Sequence, residues 1–137
     1  MKNLKLRGER WLREAQNTLR QAEHNCVDGA YNVACFLAEQ AGQKALKAVL
    51  YYRGTRYVTI HSLQELIRLA GKVDNSFLRF LEAAGKLDQY YLSSRYPDAL
   101  AEPAIPSEVF VNEQAKEAIA IGKEIIGLCA TTIHGGA

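Results

Sequence analysis

Residues 30–52, AYNVACFLAEQAGQKALKAVLYY, are the stretch of this chain that decides its fold. Apolar residues recur every three or four positions, as on one face of an α-helix, at Ala30, Ala34, Leu37, Ala41, Ala45 and Ala48. Most of them are small, so neighbouring helices can approach this face closely. Gly54 follows and is suited to the left-handed conformation that ends helices. The stretch predicts a long helix in the middle of a helical bundle.

The same spacing predicts helices on both sides of this segment. The first spans residues 6–25, with Trp11, Leu12, Ala15, Leu19 and Ala22 on its apolar face. Ser62 and Glu65 form a capping-box pattern that starts a short helix over residues 63–70, which we expect Gly71 to end. A fourth helix begins between residues 74 and 76 and reaches residue 91, and a last one covers residues 112–133.

No segment alternates apolar and polar residues as a half-buried strand does. We therefore predict an all-α fold, an up-and-down four-helix bundle with an additional short helix, forming a single domain over residues 1–137. All three prolines lie between residues 93 and 111, so we expect a long loop there that no regular helix crosses. Loops of this length in small bundles tend to be functional or disordered.

Composition excludes several classes of protein. A chain of 137 residues with 48% hydrophobic and 23% charged residues is typical of an ordinary globular domain. The net charge of +2 does not by itself indicate a nucleic-acid-binding protein. The three cysteines are odd in number and widely spaced, which favours reduced thiols. No signal peptide or membrane span is recognisable, so we expect a cytoplasmic protein without membrane contact.

Polar residues of the second helix form the first candidate site. Gln40, Lys44 and Lys47 fall within a sector of roughly 60° beside the apolar face, since successive residues turn by ~100°. Val33, Phe36 and Leu50 lie on the same side. This face is either a solvated surface with scattered apolar residues or a surface that contacts a ligand or partner.

His61 lies at the predicted start of the short helix, five positions after Arg56. The imidazole is a structural hydrogen-bonding group, an anion contact near a helix N-terminus, or a proton carrier. As a pair, His61 and Arg56 have the chemistry for RNA cleavage: the histidine moves a proton and the guanidinium neutralises charge on the phosphorus.

The proline-containing loop supplies the third candidate group. Arg95 offers several planar donors to a phosphate or carboxylate, and Tyr90, Tyr91 and Tyr96 offer stacking faces or hydroxyls. Asp98 either orients Arg95 or initiates a turn after Pro97. The alternative for Arg95 is a purely structural ion pair with Asp88 or Asp98. His24, Cys26 and Cys35 lack the close spacing of a zinc site, so no metal is expected.

Three segments in this order resemble the HEPN domain (higher eukaryotes and prokaryotes nucleotide-binding domain) over roughly residues 8–130. They are ACFLAEQAGQKALKA at 34–48, HSL at 61–63, and LDQYY at 87–91 with RYPDA at 95–99. The resemblance implies a helical homodimer, often encoded beside a minimal nucleotidyltransferase in a two-component or toxin–antitoxin system. It implies a nucleotide ligand such as ATP or GTP, or RNA, and we expect no other cofactor. The matching binding residues are Gln40, Lys44, Lys47, His61, Arg95, Tyr96 and Asp98.

Many HEPN proteins resemble ribonucleases through an Arg and a His four to six residues apart near the start of the last helix. In this chain the last helix has no arginine, and His134 lies at its far end. The main hypothesis is therefore a non-catalytic nucleotide-binding or regulatory protein. The alternatives are a metal-independent endoribonuclease toxin that uses Arg56 and His61, and a protein-interaction module without a nucleotide ligand.

Overall fold

The computed structural model describes residues 3–135, and every regular element in this range is helical. The helices are α1 (Leu4–Val27), α2 (Tyr31–Tyr52), α3 (Leu63–Val73), α4 (Leu81–Asp88), α5 (Tyr90–Ser93), α6 (Pro106–Val109) and α7 (Asn112–Gly135). Two 3₁₀ helices cover Asn75–Phe80 and Pro97–Ala99. The predicted all-α helical bundle is confirmed.

Helix α2 is the centre of the bundle. It packs against α1, α7 and α3, and most of its residues from Ala34 to Tyr51 are buried. A helix that is apolar around most of its circumference is covered on all sides. The buried polar side chains of this part of α2, Glu39, Gln43 and Lys47, are therefore placed among other protein groups, and this burial positions the candidate site.

Helices α1 and α2 are joined by a tight turn at Gly29, whose φ of +83° favours glycine. They run antiparallel, because the start of α1 lies against the end of α2. A β-carbon added to Gly8 of α1 would lie 2.8 Å from Cβ of Tyr52 and 3.2 Å from the carbonyl oxygen of Ala48. The glycine thus allows the two backbones to approach closely. Gly54, with a φ of +97°, ends α2 as predicted.

Helix α3 is longer than predicted, because it continues through Gly71 to Val73. Gly71 has a packing role instead: a β-carbon there would be 2.6 Å from Cδ2 of Leu78. The predicted fourth helix is also wrong in part. Its first turns are the 3₁₀ helix Asn75–Phe80, where the Asp74 carboxylate accepts from the Ser76 N–H at 2.9 Å. Such a local side-chain bond favours a tight turn.

The segment 93–111 is more ordered than the expected loop. It contains the 3₁₀ helix Pro97–Ala99 and the one-turn helix α6, and each begins at a proline. Proline is favoured at the first helical position because its fixed φ suits a helix and its missing N–H has no partner there. No single helix crosses the segment. Within residues 3–135, no helix has the length and apolar character needed to cross a membrane.

Candidate functional site

The HSL and LDQYY segments meet through Asp88, the last residue of α4. Its carboxylate accepts hydrogen bonds from the backbone N–H groups of Leu63, at 2.7 Å, and Gln64, at 3.1 Å. The Ser62 hydroxyl donates to the same carboxylate at 3.1 Å. The first N–H groups of a helix lack partners within the helix, so Asp88 caps α3 from another element. His61 is thereby fixed beside the end of α4.

Arg95 lies among three aromatic rings. Its guanidinium carbon is 4.3 Å from the ring centre of Phe36, 4.9 Å from that of Tyr91 and 4.8 Å from that of Tyr96. Nε and Nη2 donate to the Tyr91 carbonyl at 3.0 and 2.8 Å, and Nη1 reaches the Tyr96 hydroxyl at 3.4 Å. Cation–π contacts and hydrogen bonds together fix this exposed side chain in one orientation.

His61 belongs to the same surface. Its ring stacks with that of Tyr91, with the planes 13° apart and the centroids 6.3 Å apart. Tyr91 therefore connects His61 with Arg95. We call the group Phe36, His61, Tyr91, Arg95 and Tyr96 the Arg95 surface; it presents aromatic faces and a cation to solvent.

Behind the Arg95 surface lies a buried carboxyl group, that of Glu39 on α2. Gln40 donates a hydrogen bond to it at 2.7 Å, and Gln43 donates another. Burial raises the pKa of Glu39 from 4.5 to about 7, although these two hydrogen bonds lower it. Nearby Asp88 raises this pKa and Arg95 lowers it. The protonation of Glu39 is thus coupled electrostatically to the Arg95 surface.

Lys47 lies two turns further along α2 and is buried as well. Burial lowers the pKa of its ammonium group, and the Glu39 carboxylate acts in the opposite direction. The region behind the Arg95 surface therefore contains a cation and an acid, both largely removed from water. Such buried ionisable groups concentrate at functional sites, although ion pairs with a structural role also show them.

Comparison with protein families gives a match to the HEPN domain over residues 8–132. The chain belongs to the HEPN domain family. The crystal structure of TT1696 from Thermus thermophilus is similar at a TM-score of 0.83 and 32% sequence identity, covering 92% of this chain and 98% of that chain. ST0689, an archaeal HEPN homologue, is similar at a TM-score of 0.76 and 32% identity, covering 97% and 99%. No curated protein matches the chain.

In this HEPN domain four of the predicted binding residues lie at or next to one surface. His61, Arg95 and Tyr96 belong to the Arg95 surface, and Gln40 contacts Glu39 behind it. Lys47 is buried in the same region and is not an exposed phosphate contact. Asp98 lies in the 3₁₀ helix Pro97–Ala99 and is exposed. Within residues 3–135 its carboxylate makes no hydrogen bond or ion pair, so it does not orient Arg95.

Lys44 is directed to a different part of the HEPN domain. Its ammonium group lies 3.0 Å from the Thr18 hydroxyl and 3.4 Å from a Glu14 carboxylate oxygen, both on α1. The structural alternative for Arg95 is not observed either: among the described residues, Arg95 makes no ion pair with Asp88 or Asp98. Packing on aromatic rings fixes its position instead.

Arg56 and His61 do not contact each other through their side chains in the described part of the chain. The Arg56 carbonyl accepts two hydrogen bonds from Arg7, both at 3.2 Å, while its own guanidinium is exposed and forms no ion pair there. The catalytic pairing of Arg56 with His61 stays a prediction.

Sequence reasoning missed Glu39 and Gln43 as members of the site. A signal for them exists in the sequence, since they are polar, four positions apart, and embedded in a helix of mainly small apolar residues. In a central helix such a pair is buried. Buried polar groups need hydrogen-bond partners, and here each can serve as the partner of the other. Within residues 3–135, no group of three or more His, Cys, Asp or Glu side chains is arranged to hold a metal ion.

Proposed function

We propose that this chain is a nucleotide-binding, regulatory HEPN protein whose ligand contacts the Arg95 surface. Membership of the HEPN family supports a nucleotide-binding or ribonuclease-type helical protein. The observation that carries the more specific proposal is the exposed guanidinium of Arg95 held against three aromatic rings. A cation beside aromatic faces matches the phosphate and the base of a nucleotide such as ATP or GTP.

Arg95 keeps free donors for a phosphate. A guanidinium has five N–H groups. Three are engaged with Tyr91 and Tyr96, so two remain available. Because the aromatic contacts already fix the side chain, binding costs little additional conformational entropy. This pre-organisation distinguishes Arg95 from an ordinary surface arginine.

Tyr96 is the residue we assign to the base. About half of its surface is exposed, at 49%, and it adjoins the guanidinium. Stacking of a base on an aromatic ring stabilises binding by roughly 1–3 kcal/mol. His61, which stacks with Tyr91, supplies a second donor or a second flat face.

The assembly we propose is a homodimer that works with a nucleotidyltransferase in a two-component or toxin–antitoxin system. HEPN domains commonly dimerise, which supports the first part. A regulatory protein that binds nucleotides is also a suitable partner for an enzyme whose substrates are nucleotides. Co-expression of this chain with a candidate nucleotidyltransferase from the same genome, followed by co-purification, tests the second part.

Isothermal titration calorimetry with ATP and GTP tests the binding site. We expect Arg95→Ala to weaken affinity by about tenfold or more, since hydrogen bonds to charged groups contribute ~1.5–3 kcal/mol. Arg79→Ala is a matched control, because Arg79 is also exposed and packs over an aromatic ring, that of Phe80, at 4.8 Å. No heat with any nucleotide, or equal affinity of Arg95→Ala and wild type, contradicts the proposal.

RNA cleavage is the second candidate, favoured by the position of His61. Its exposed imidazole and the Arg95 guanidinium both contact Tyr91. The histidine would take the proton of a ribose 2′-hydroxyl as its oxygen bonds to phosphorus, while the arginine stabilises the pentacoordinate phosphorus. The P–O5′ bond would then break, leaving a 2′,3′-cyclic phosphate and a 5′-oxygen that takes a proton from water. Incubation with structured RNA in a chelator separates the candidates: cleavage that is lost in His61→Ala supports this one, and intact RNA with wild-type protein removes it.

A further inference from the structure

A second basic feature lies between α1 and α2, away from the residues of the Arg95 surface. An open cavity of about 850 Å³ is lined by Asn3, Leu6, Arg7, Arg10, Trp11, Arg13, Glu14 and Lys44. Its volume is within the range of about 300–1,000 Å³ that is typical of small-molecule sites. We call it the α1–α2 cavity.

The charges in the α1–α2 cavity are unbalanced. Arg7, Arg10 and Arg13 recur every three residues on α1, and Lys44 joins them from α2. Among the described residues of the lining, the one acidic group, Glu14, already forms an ion pair with Lys44 at 3.4 Å. Within residues 3–135, the guanidinium groups of Arg10 and Arg13 form no hydrogen bond or ion pair. Three positive charges therefore share one cavity without a compensating carboxylate.

One wall of the cavity is rigid. Both terminal nitrogens of Arg7 donate to the Arg56 carbonyl at 3.2 Å, and its guanidinium carbon lies 3.8 Å from the ring centre of buried Tyr51. The Trp11 ring packs on the same tyrosine, with centroids 5.1 Å apart and planes tilted by 52°. A fixed arginine and a half-buried indole thus lie side by side in the cavity lining.

We infer that the α1–α2 cavity is a second binding site, for a ligand that carries two or more neighbouring phosphate groups. Arginine matches phosphate oxygens because its planar fork donates two parallel hydrogen bonds. Several arginines around one cavity match several phosphates, and the adjoining Trp11 can accept a flat ring by stacking. The phosphates come either from a free nucleoside polyphosphate or from the backbone of an RNA strand.

This site is separate from the one in the proposed function. None of the residues of the Arg95 surface lines the α1–α2 cavity. Lys44, which the family resemblance grouped with Arg95, lies in the cavity through its contacts with α1. Loss of one site therefore leaves the other intact, and the two proposals fail independently.

Tryptophan fluorescence provides a direct test, since Trp11 is the single tryptophan of the chain and lines the cavity. We expect inorganic tripolyphosphate and ATP to change the emission of the full-length protein in a saturable way. The double variant Arg10→Ala with Arg13→Ala should weaken this binding by about tenfold or more. The double variant Lys72→Ala with Arg79→Ala removes the same charge from exposed positions outside the lining and should have little effect.

Fluorescence anisotropy with a labelled short single-stranded RNA distinguishes the two sources of phosphate. If only ATP binds, the ligand is a free nucleotide; if only RNA binds, it is an RNA strand. Binding of both shows that the cavity recognises the phosphate groups that the two share. The inference is overturned if wild type binds none of these probes, or if the two double variants lose affinity equally. An unchanged Trp11 response in Arg95→Ala shows that the cavity binds independently of the Arg95 surface.

Discussion

The carboxylate of Asp88 accepts a hydrogen bond from the backbone N–H of Leu63 at 2.7 Å, and so connects the end of α4 with the start of α3. Two further donors, the Gln64 N–H and the Ser62 hydroxyl, converge on the same carboxylate. This cap couples two sequence segments that are 25 residues apart. It also fixes the backbone next to His61, a member of the Arg95 surface.

Asp88→Ala should therefore destabilise the fold. The two N–H groups at the start of α3 lose their partner, and an unsatisfied buried polar group costs about 1–3 kcal/mol. Chemical denaturation followed by circular dichroism measures the loss. Asp98→Ala is the matched control and should change the free energy of unfolding by less than about 0.5 kcal/mol, since Asp98 is exposed. Equal stability of the two variants would contradict the capping role.

Glycine at position 8 should be required for the contact between α1 and α2. A β-carbon there would lie 2.8 Å from Cβ of Tyr52, so Gly8→Ala forces the helices apart and should cost about 1–3 kcal/mol. Gly127→Ala provides the comparison, because no heavy atom lies within 4 Å of an added β-carbon. That variant should gain up to about 1 kcal/mol from helix propensity. Thermal unfolding of both variants measures the difference. A Gly8→Ala protein as stable as Gly127→Ala would show that α1 and α2 can move apart without loss of stability.

Stability should depend on pH through Glu39. Its pKa is raised by burial from 4.5 to about 7, so the folded protein holds this proton over a range in which the unfolded chain has released it. The folded state is consequently favoured at acidic pH. The free energy of unfolding contributed by this group falls as pH rises from about 4.5 to about 7 and is constant above that. Each pKa unit corresponds to about 1.4 kcal/mol, which bounds the loss at roughly 3 kcal/mol.

Glu39→Gln tests this dependence, since the amide stays neutral at every pH. The stability of wild type relative to this variant should fall between pH 4.5 and about 7 in a series of urea titrations. Glu124→Gln changes an exposed glutamate of α7 and should follow the wild-type curve. A constant difference between wild type and Glu39→Gln across the window would show that Glu39 does not titrate there.

The three cysteines should differ in reactivity. Burial raises the pKa of Cys35 to about 12, with a smaller effect from Cys26, and burial also raises the pKa of Cys129. Both side chains are inaccessible, whereas Cys26 is only half-buried. Because the thiolate is the reactive form, a chromogenic disulfide reagent should modify Cys26 first and the other two only after unfolding. Cys26→Ser should abolish the fast phase, and rapid modification of three thiols in the native protein would contradict this.

Much of the fold is predictable from the sequence, because periodic apolar residues specify helices locally. The ends of α2 and the start of α7 at Asn112 agree with the pattern to within one residue. The errors arise where a residue that usually starts or ends a helix is needed instead for a contact in the folded structure. Gly71 predicts the end of a helix, but the helix continues through it, and the missing side chain leaves space for Leu78. The helix-like pattern after Asp74 begins as a 3₁₀ turn because the Asp74 side chain bonds locally to Ser76.

The candidate site was less predictable, because side chains of one helix sector need not share an environment. Gln40, Lys44 and Lys47 lie in one sector of α2, but Gln40 contacts Glu39, Lys44 bonds to α1, and Lys47 is buried. Helical angles give the direction of a side chain and not its partner. The residue that a side chain contacts depends on which neighbouring helix packs against that side of α2.

The sequence by itself determined the helical bundle and the family, because apolar spacing and three ordered motifs are local properties of the chain. Only the tertiary structure decided how the motifs combine: Arg95 lies on Phe36, Tyr91 and Tyr96, Glu39 is buried behind it, and Lys44 lines one cavity with Arg7, Arg10 and Arg13. These arrangements depend on packing between elements distant in sequence. Burial and long-range contact set the charge and exposure of each group, and no local pattern encodes them.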